Sequence, residues 1–162
     1  MLPKRKVYSD DFQTPCWVIE YLVPYLKKEW IIWECAMGKG NLVRALEQRG
    51  FKVIGTDIKD GYDFLKWTPK RFDCIVTNPP YSLKNEFLER CYELGKPFAL
   101  LLPLTALETE RRQRLFKKYG VEIIVLPKRV NFETPSGKGS GSWFPVGWFT
   151  NWLGIGKQLI FV

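Results

Sequence analysis

Histidine is missing from all 162 residues of this chain. Its absence removes the usual imidazole base and the usual zinc ligand, so no metal centre is expected. Cysteine is scarce and scattered: Cys16, Cys35, Cys74 and Cys91 form no CxxC pair. That spacing implies no disulfide framework and suits a reducing cytoplasm. No apolar run reaches membrane-spanning length, and the basic start PKRK leads into no signal-peptide core, so no membrane partner is expected. No internal repeat is present. What remains is a chain with 46% apolar residues, long enough for one domain with a proper core and short for two. A single domain over 1–162 is the expectation. The 25 Lys and Arg against 17 Asp and Glu leave +8, an excess that suits a polyanionic partner and equally serves solubility.

Helical and extended signals alternate along the chain. Thr14-Pro15 opens a predicted helix to about Lys28, with Thr14 at the N-cap and Pro15 at the first helical position. WIIWEC (30–35), FKVIGTD (51–57), FDCIV (72–76), FALLL (98–102) and VEIIVL (121–126) read as strands, with a fainter one near 62–65. Asn41 to Arg49 reads as a helix closed by Gly50. Ser82 is placed as the cap of a helix to about Leu94. Thr105 and Glu108 form an expected capping box for a helix ending at Gly120. That helix would carry Arg111, Arg112, Arg114, Lys117 and Lys118 on its outer surface, either solvated or facing phosphates. After a long Gly/Ser loop (135–142), WFPVGWFT and KQLIFV read as closing strands. The alternation predicts an α/β fold with a mostly parallel sheet, and the two closing strands have no helix between them, so at least one is expected to be antiparallel.

In such sheets ligands bind beyond the carboxyl ends of the strands. Three polar stretches fall on that rim: ECAMGKG, GTDI and TNPPY. In the first, Gly38 and Gly40 let the backbone approach a ligand closely before a helix start that offers free N–H groups. It is neither a Walker loop nor GxGxxG, and alone it is equally a tight strand-to-helix turn. Asp57 ends the second strand, where an acid is well placed to accept both hydroxyls of a ribose. Ile58 behind it offers an apolar face, and Asp63-Phe64 a further acceptor with an aromatic neighbour. In the third stretch, Asn78 ends a strand and Pro79 and Pro80 hold the following backbone extended. Their carbonyls remain acceptors, and their missing N–H groups remove competing donors. An amide oxygen and a prolyl carbonyl can then converge on one small amino group, with Tyr81 as a flat face beside them.

These residues, taken in order, resemble the amino-group, S-adenosylmethionine-dependent DNA methyltransferases, particularly the N6-adenine type. DFQTP (11–15) looks like the family's N-terminal FxTP-type element, ECAMGKG like its glycine-containing first motif, and TNPPY like its catalytic tetrapeptide. The small size resembles short phage-type members, with no room for a separate target-recognition domain. The resemblance implies a Rossmann-like, seven-stranded, mostly parallel methyltransferase sheet with helices on both faces and a terminal antiparallel hairpin, and S-adenosylmethionine as cofactor with S-adenosylhomocysteine as its product. It implies cofactor contacts at Phe12, Thr14, Pro15, Glu34, Ala36, Met37, Gly38, Gly40, Asp57, Ile58, Asp63, Phe64 and Asn78. It implies catalysis at Asn78, Pro79, Pro80 and Tyr81, with Asn78 and Pro79 accepting the hydrogens of an adenine N6 that has left the duplex. Nucleic-acid contacts are expected from Tyr81, Ser82, Arg129, Phe132 and Lys138. Phe132 is read either as a second stacking face for the base or as packing beneath its loop.

The expected partner is double-stranded DNA, the expected state monomer or homodimer, and the expected place the cytoplasm of a bacterial or phage-infected cell. Three other amino groups stay open to the same chemistry: cytosine N4, adenine in RNA, and a protein glutamine. A module that binds cofactor or DNA without turnover is the reading from another class.

Overall fold

The computed structural model describes residues 13–132, 140–141 and 144–162. Phe12 and Lys138, named above as cofactor and nucleic-acid contacts, lie outside the described residues, as does most of the Gly/Ser loop.

Strands β1 (Ile31–Glu34), β2 (Lys52–Gly55), β3 (Cys74–Thr77), β4 (Phe98–Pro103) and β5 (Glu122–Val125) alternate with helices α1 (Asn41–Gln48), α2 (Lys84–Leu94) and α3 (Glu110–Tyr119). Two short strands, β6 (Asn131–Phe132) and β7 (Ser140–Gly141), pair with each other apart from the main sheet. Then come β8 (Val146–Asn151) and β9 (Leu159–Phe161). Among the described residues the main sheet has seven strands in the order β2-β1-β3-β4-β8-β5-β9. Pairs β1–β2, β1–β3, β3–β4 and β5–β9 are parallel; β8 is antiparallel to both neighbours.

Successive residues of the central strands serve opposite faces, as the pleat requires. Ile32, Cys74, Val76, Ala99, Leu101 and Trp148 join the core under α1 and the N-terminal turns. Trp33, Ile75, Phe98, Leu100, Leu102 and Phe149 join the core under α2 and α3. Burial on both faces explains why these strands read as continuous apolar runs.

Four local expectations are corrected. The helix over 14–28 is two 3-10 turns, Cys16–Ile19 and Val23–Tyr25. Pro24 lacks the N–H for a continuing helical bond, and its ring clashes with the preceding turn. The starts of α2 and α3 lie beyond Ser82 and Thr105, because 3-10 turns at Tyr81–Leu83 and Leu104–Leu107 intervene. No strand forms near 62–65, where Asp63 starts a turn and accepts the Leu65 amide at 3.0 Å. The last two strands are not a hairpin: β8 inserts between β4 and β5, and β9 takes the outer edge of β5.

Candidate active site

The carboxyl ends of β1, β2 and β3 are neighbours in the sheet, so their three following turns meet. The β1–α1 turn crosses to β2 through Met37 N–H, which donates to Thr56 carbonyl at 3.0 Å. Gly38 takes φ +53°, and a Cβ there would lie 2.8 Å from Gln13 Nε2. Its amide donates to Asp57 Oδ2 at 2.9 Å, while Lys59 N–H donates to Asp57 Oδ1 at 3.1 Å. The backbone thus holds the Asp57 carboxylate at the mouth of a cavity of about 370 Å³, within the range of small-molecule sites.

Glu34 forms the inner wall and is 2% exposed. Its Oε1 accepts Ala36 N–H at 3.0 Å and the Thr77 hydroxyl. Burial pushes its carboxyl up to about 8; the two hydrogen bonds pull the other way and the nearby Asp57 charge adds to the rise. A neutral acid therefore dominates at Glu34 at neutral pH. Asp63, Phe64 and Ile58 complete this side. Ile58 is 67% exposed at the lip, whereas Phe64 is buried against Trp33 and Phe87.

Asn78 closes the opposite wall with Pro80. Its Nδ2 donates to Thr14 Oγ1 at 3.1 Å. Its Oδ1 is buried and has no hydrogen-bond partner. An unmet buried acceptor costs about 1–3 kcal/mol, and this one belongs to a side chain that lines a cavity. The Pro80 carbonyl accepts Leu83 N–H at 2.9 Å and so is held within the turn.

The predicted residues Thr14, Glu34, Ala36, Met37, Gly38, Asp57, Ile58, Asp63, Phe64, Asn78 and Pro80 all line this cavity. Pro15, Gly40, Pro79 and Tyr81 do not line its wall. Pro15 leads the first 3-10 turn, Gly40 takes φ +86° before α1, and Pro79 is buried behind the wall. The Tyr81 ring packs on Phe144 (5.9 Å between centroids) and edge-on to Phe132 (6.5 Å). Its hydroxyl is buried without a partner, and burial pushes its pKa up. Phe132 is 5% exposed and belongs to the core. Ser82 and Arg129 are exposed.

Two residues absent from the sequence-based set prove important. Gln13 is 5% exposed, lines the cavity, and accepts Lys39 N–H at 3.0 Å. Asn41, the first residue of α1, lines it too and donates to the Thr14 carbonyl at 3.2 Å. Among the described residues no group of three or more His, Cys, Asp and Glu is arranged to hold a metal ion. No helix there is long and apolar enough to cross a membrane.

No protein-family model matches the sequence, and no curated protein matches it. Solved structures do match. One, assigned to the class I S-adenosylmethionine-dependent methyltransferases and from Listeria monocytogenes, superposes with TM-score 0.62 at 17% identity, over 91% of this chain and 62% of that one. The methyltransferase subunit of a type I restriction-modification system from Streptococcus thermophilus gives TM-score 0.62 at 17% identity, over 94% and 47%. A dimethyladenosine transferase from Plasmodium falciparum gives 0.53 at 15% identity, over 86% and 61%. This is the class I methyltransferase fold. The chain spans about half to two thirds of the length of these neighbours.

Proposed function

We propose that this chain transfers a methyl group from S-adenosylmethionine to the exocyclic N6 of adenine in DNA. The observation that carries the reading is the Asn78 carboxamide. Its nitrogen end is engaged by Thr14, and its oxygen end is buried and unmet in a side chain on the cavity wall. An acceptor left in that condition suits a ligand that brings hydrogens, and a planar amino group brings two.

The residues fit the cofactor. The acid at the end of β2 suits ribose hydroxyls, the exposed Ile58 suits an adenine face, and the carboxylates of Asp57 and Asp63 suit a cationic ligand. When bound, the cofactor supplies an electrophilic methyl on a sulfonium. The protein's task is to make the amino nitrogen nucleophilic, since its lone pair is delocalised into the ring. The Asn78 oxygen accepts one of its hydrogens, drawing the nitrogen toward tetrahedral geometry and freeing the lone pair; with the new nitrogen–carbon bond formed and S-adenosylhomocysteine released, the nitrogen would shed one proton to water. Positioning and preset dipoles supply the rate, with no metal in the scheme. The base leaves the duplex to reach the cavity, at a cost of about a few kcal/mol. Tyr81 is the flat face offered to it, turned from its rest against Phe144.

Two further facts support a nucleic-acid substrate over a protein glutamine. The chain carries +8. Its structural neighbours include a restriction-modification methyltransferase subunit and a dimethyladenosine transferase. The test is incubation with labelled S-adenosylmethionine and, in parallel, duplex DNA, RNA and a glutamine-containing protein, followed by mass spectrometry of the digests. N6-methyladenine from the DNA arm is expected. Label only in N4-methylcytosine, in RNA or in glutamine would move the assignment to that substrate, and label in none would end it.

A further inference from the structure

We propose that Thr14 is a positioning residue for the Asn78 carboxamide, tying the catalytic corner to the glycine turn. Three hydrogen bonds converge on residues 13 and 14. Gln13 accepts the Lys39 amide from the turn, Asn41 holds the Thr14 carbonyl from the start of α1, and the Thr14 hydroxyl accepts from Asn78 Nδ2 at 3.1 Å. Thr14 is 4% exposed, so its hydroxyl meets little competing water. A two-residue strap therefore links the end of β3 to the turn after β1.

The bond matters because an asparagine amide turns on a broad, roughly two-fold torsion. Held at Nδ2, the group leaves Oδ1 as its unmet end. Flipped, it would set its own hydrogens against those of an incoming amino group. Thr14 thus acts through Asn78 and not on the substrate. The consequence for rate rests on the function proposed above; the consequence for the amide does not.

The test uses the full chain with Thr14→Val, which keeps the branched shape and removes the hydroxyl, and Thr14→Ser, which keeps the hydroxyl. Thr14→Ala is a second hydroxyl-free variant should valine disturb packing. The side-chain amide signal of Asn78 is assigned by its loss in Asn78→Ala. Its proton exchange with water is expected to be slow in the wild type and in Thr14→Ser, and about tenfold faster without the hydroxyl, the scale of one hydrogen bond. Single-turnover methyl transfer at saturating cofactor is expected to fall about tenfold in Thr14→Val and to recover in Thr14→Ser. Unchanged amide exchange in the hydroxyl-free variants would overturn the inference. So would a loss of cofactor affinity with an unchanged rate, which would make Thr14 a cofactor contact. A wild type that methylates nothing would defeat the functional reading, and the amide signal would still decide the role of Thr14.

Discussion

The carboxyl rim over β1–β3 and the flank formed by α2 and α3 are both rich in polar side chains, yet they differ in who satisfies them. On the flank the partners are internal. Arg111 pairs with Glu89 and lies 3.8 Å from Glu86, and Arg114 pairs with Glu110 at 2.7 Å. Arg112 is 5% exposed and donates to the Ala106 carbonyl and to Asn85 Oδ1, both at 2.7 Å. One atom there breaks the pattern: Glu86 Oε2 is buried without a partner. On the rim the leftover capacity faces a cavity: the oxygen of Asn78 and a Glu34 carboxyl held largely neutral by burial. A helix dense in arginine thus proves to be bracing, and the sparser rim holds the groups left for a ligand. Of the five cations expected to face outward on α3, Arg112 points inward and Arg111 and Arg114 are ion-paired.

Substitutions can break this contrast, beginning with the largest expected change. Arg112→Ala removes two buried charged hydrogen bonds and leaves a carbonyl unmet, so it is expected to destabilise by about 3 kcal/mol in urea unfolding. A loss near zero would mean the flank is not braced from within. Glu34→Gln should change the pH dependence of stability. Burial pushes the folded carboxyl up to about 8 from an ordinary value of 4.5, so the unfolded chain holds fewer protons between those limits. Stability from this group is full below the lower value and declines as pH rises toward the upper one, by at most about 1.4 kcal/mol per pH unit. Chemical denaturation at pH 5 and pH 8 should show that decline in the wild type and a flatter profile in Glu34→Gln. Tyr81→Phe removes the unmet buried hydroxyl and is expected to raise stability by about 1 kcal/mol. Arg111→Ala is the smallest case. Its ion pairs are exposed and screened by solvent, so urea unfolding should show no measurable change.

Much of the architecture was legible because the buried strands are short β-branched and aromatic runs bounded by polar turns. Ile31–Glu34 falls within the run read as a strand over 30–35, and Cys74–Thr77 overlaps the one read over 72–76 and extends one residue past it. The position of β8 between β4 and β5 was not legible, because strand order is set by long-range pairing and not by local pattern. The helix at 14–28 failed at Pro24, a breaker in plain view. Ser82 and Thr105 carried real turn signals, but the turns they mark are 3-10 and displace the helix starts. Arg112 could have been placed inward: with Leu115 and Phe116 it keeps the i, i+3, i+4 spacing of one face, and those two pack on the core. Glu34, Asp57 and Asn78 could be placed on the carboxyl rim because each lies at or just beyond the end of an apolar strand. Gln13 could not, because nothing near it in sequence announces that its amide crosses to Lys39.

The role proposed for the Asn78 oxygen is to activate an amino group for methyl transfer. Paired measurements of S-adenosylmethionine affinity by calorimetry and of single-turnover methyl transfer to DNA, in wild type and Asn78→Ala, test it directly. The account expects affinity within about twofold and a rate at least about 100-fold lower, the scale of a lost transition-state donor or acceptor. A mutant that transfers methyl groups at the wild-type rate would contradict it.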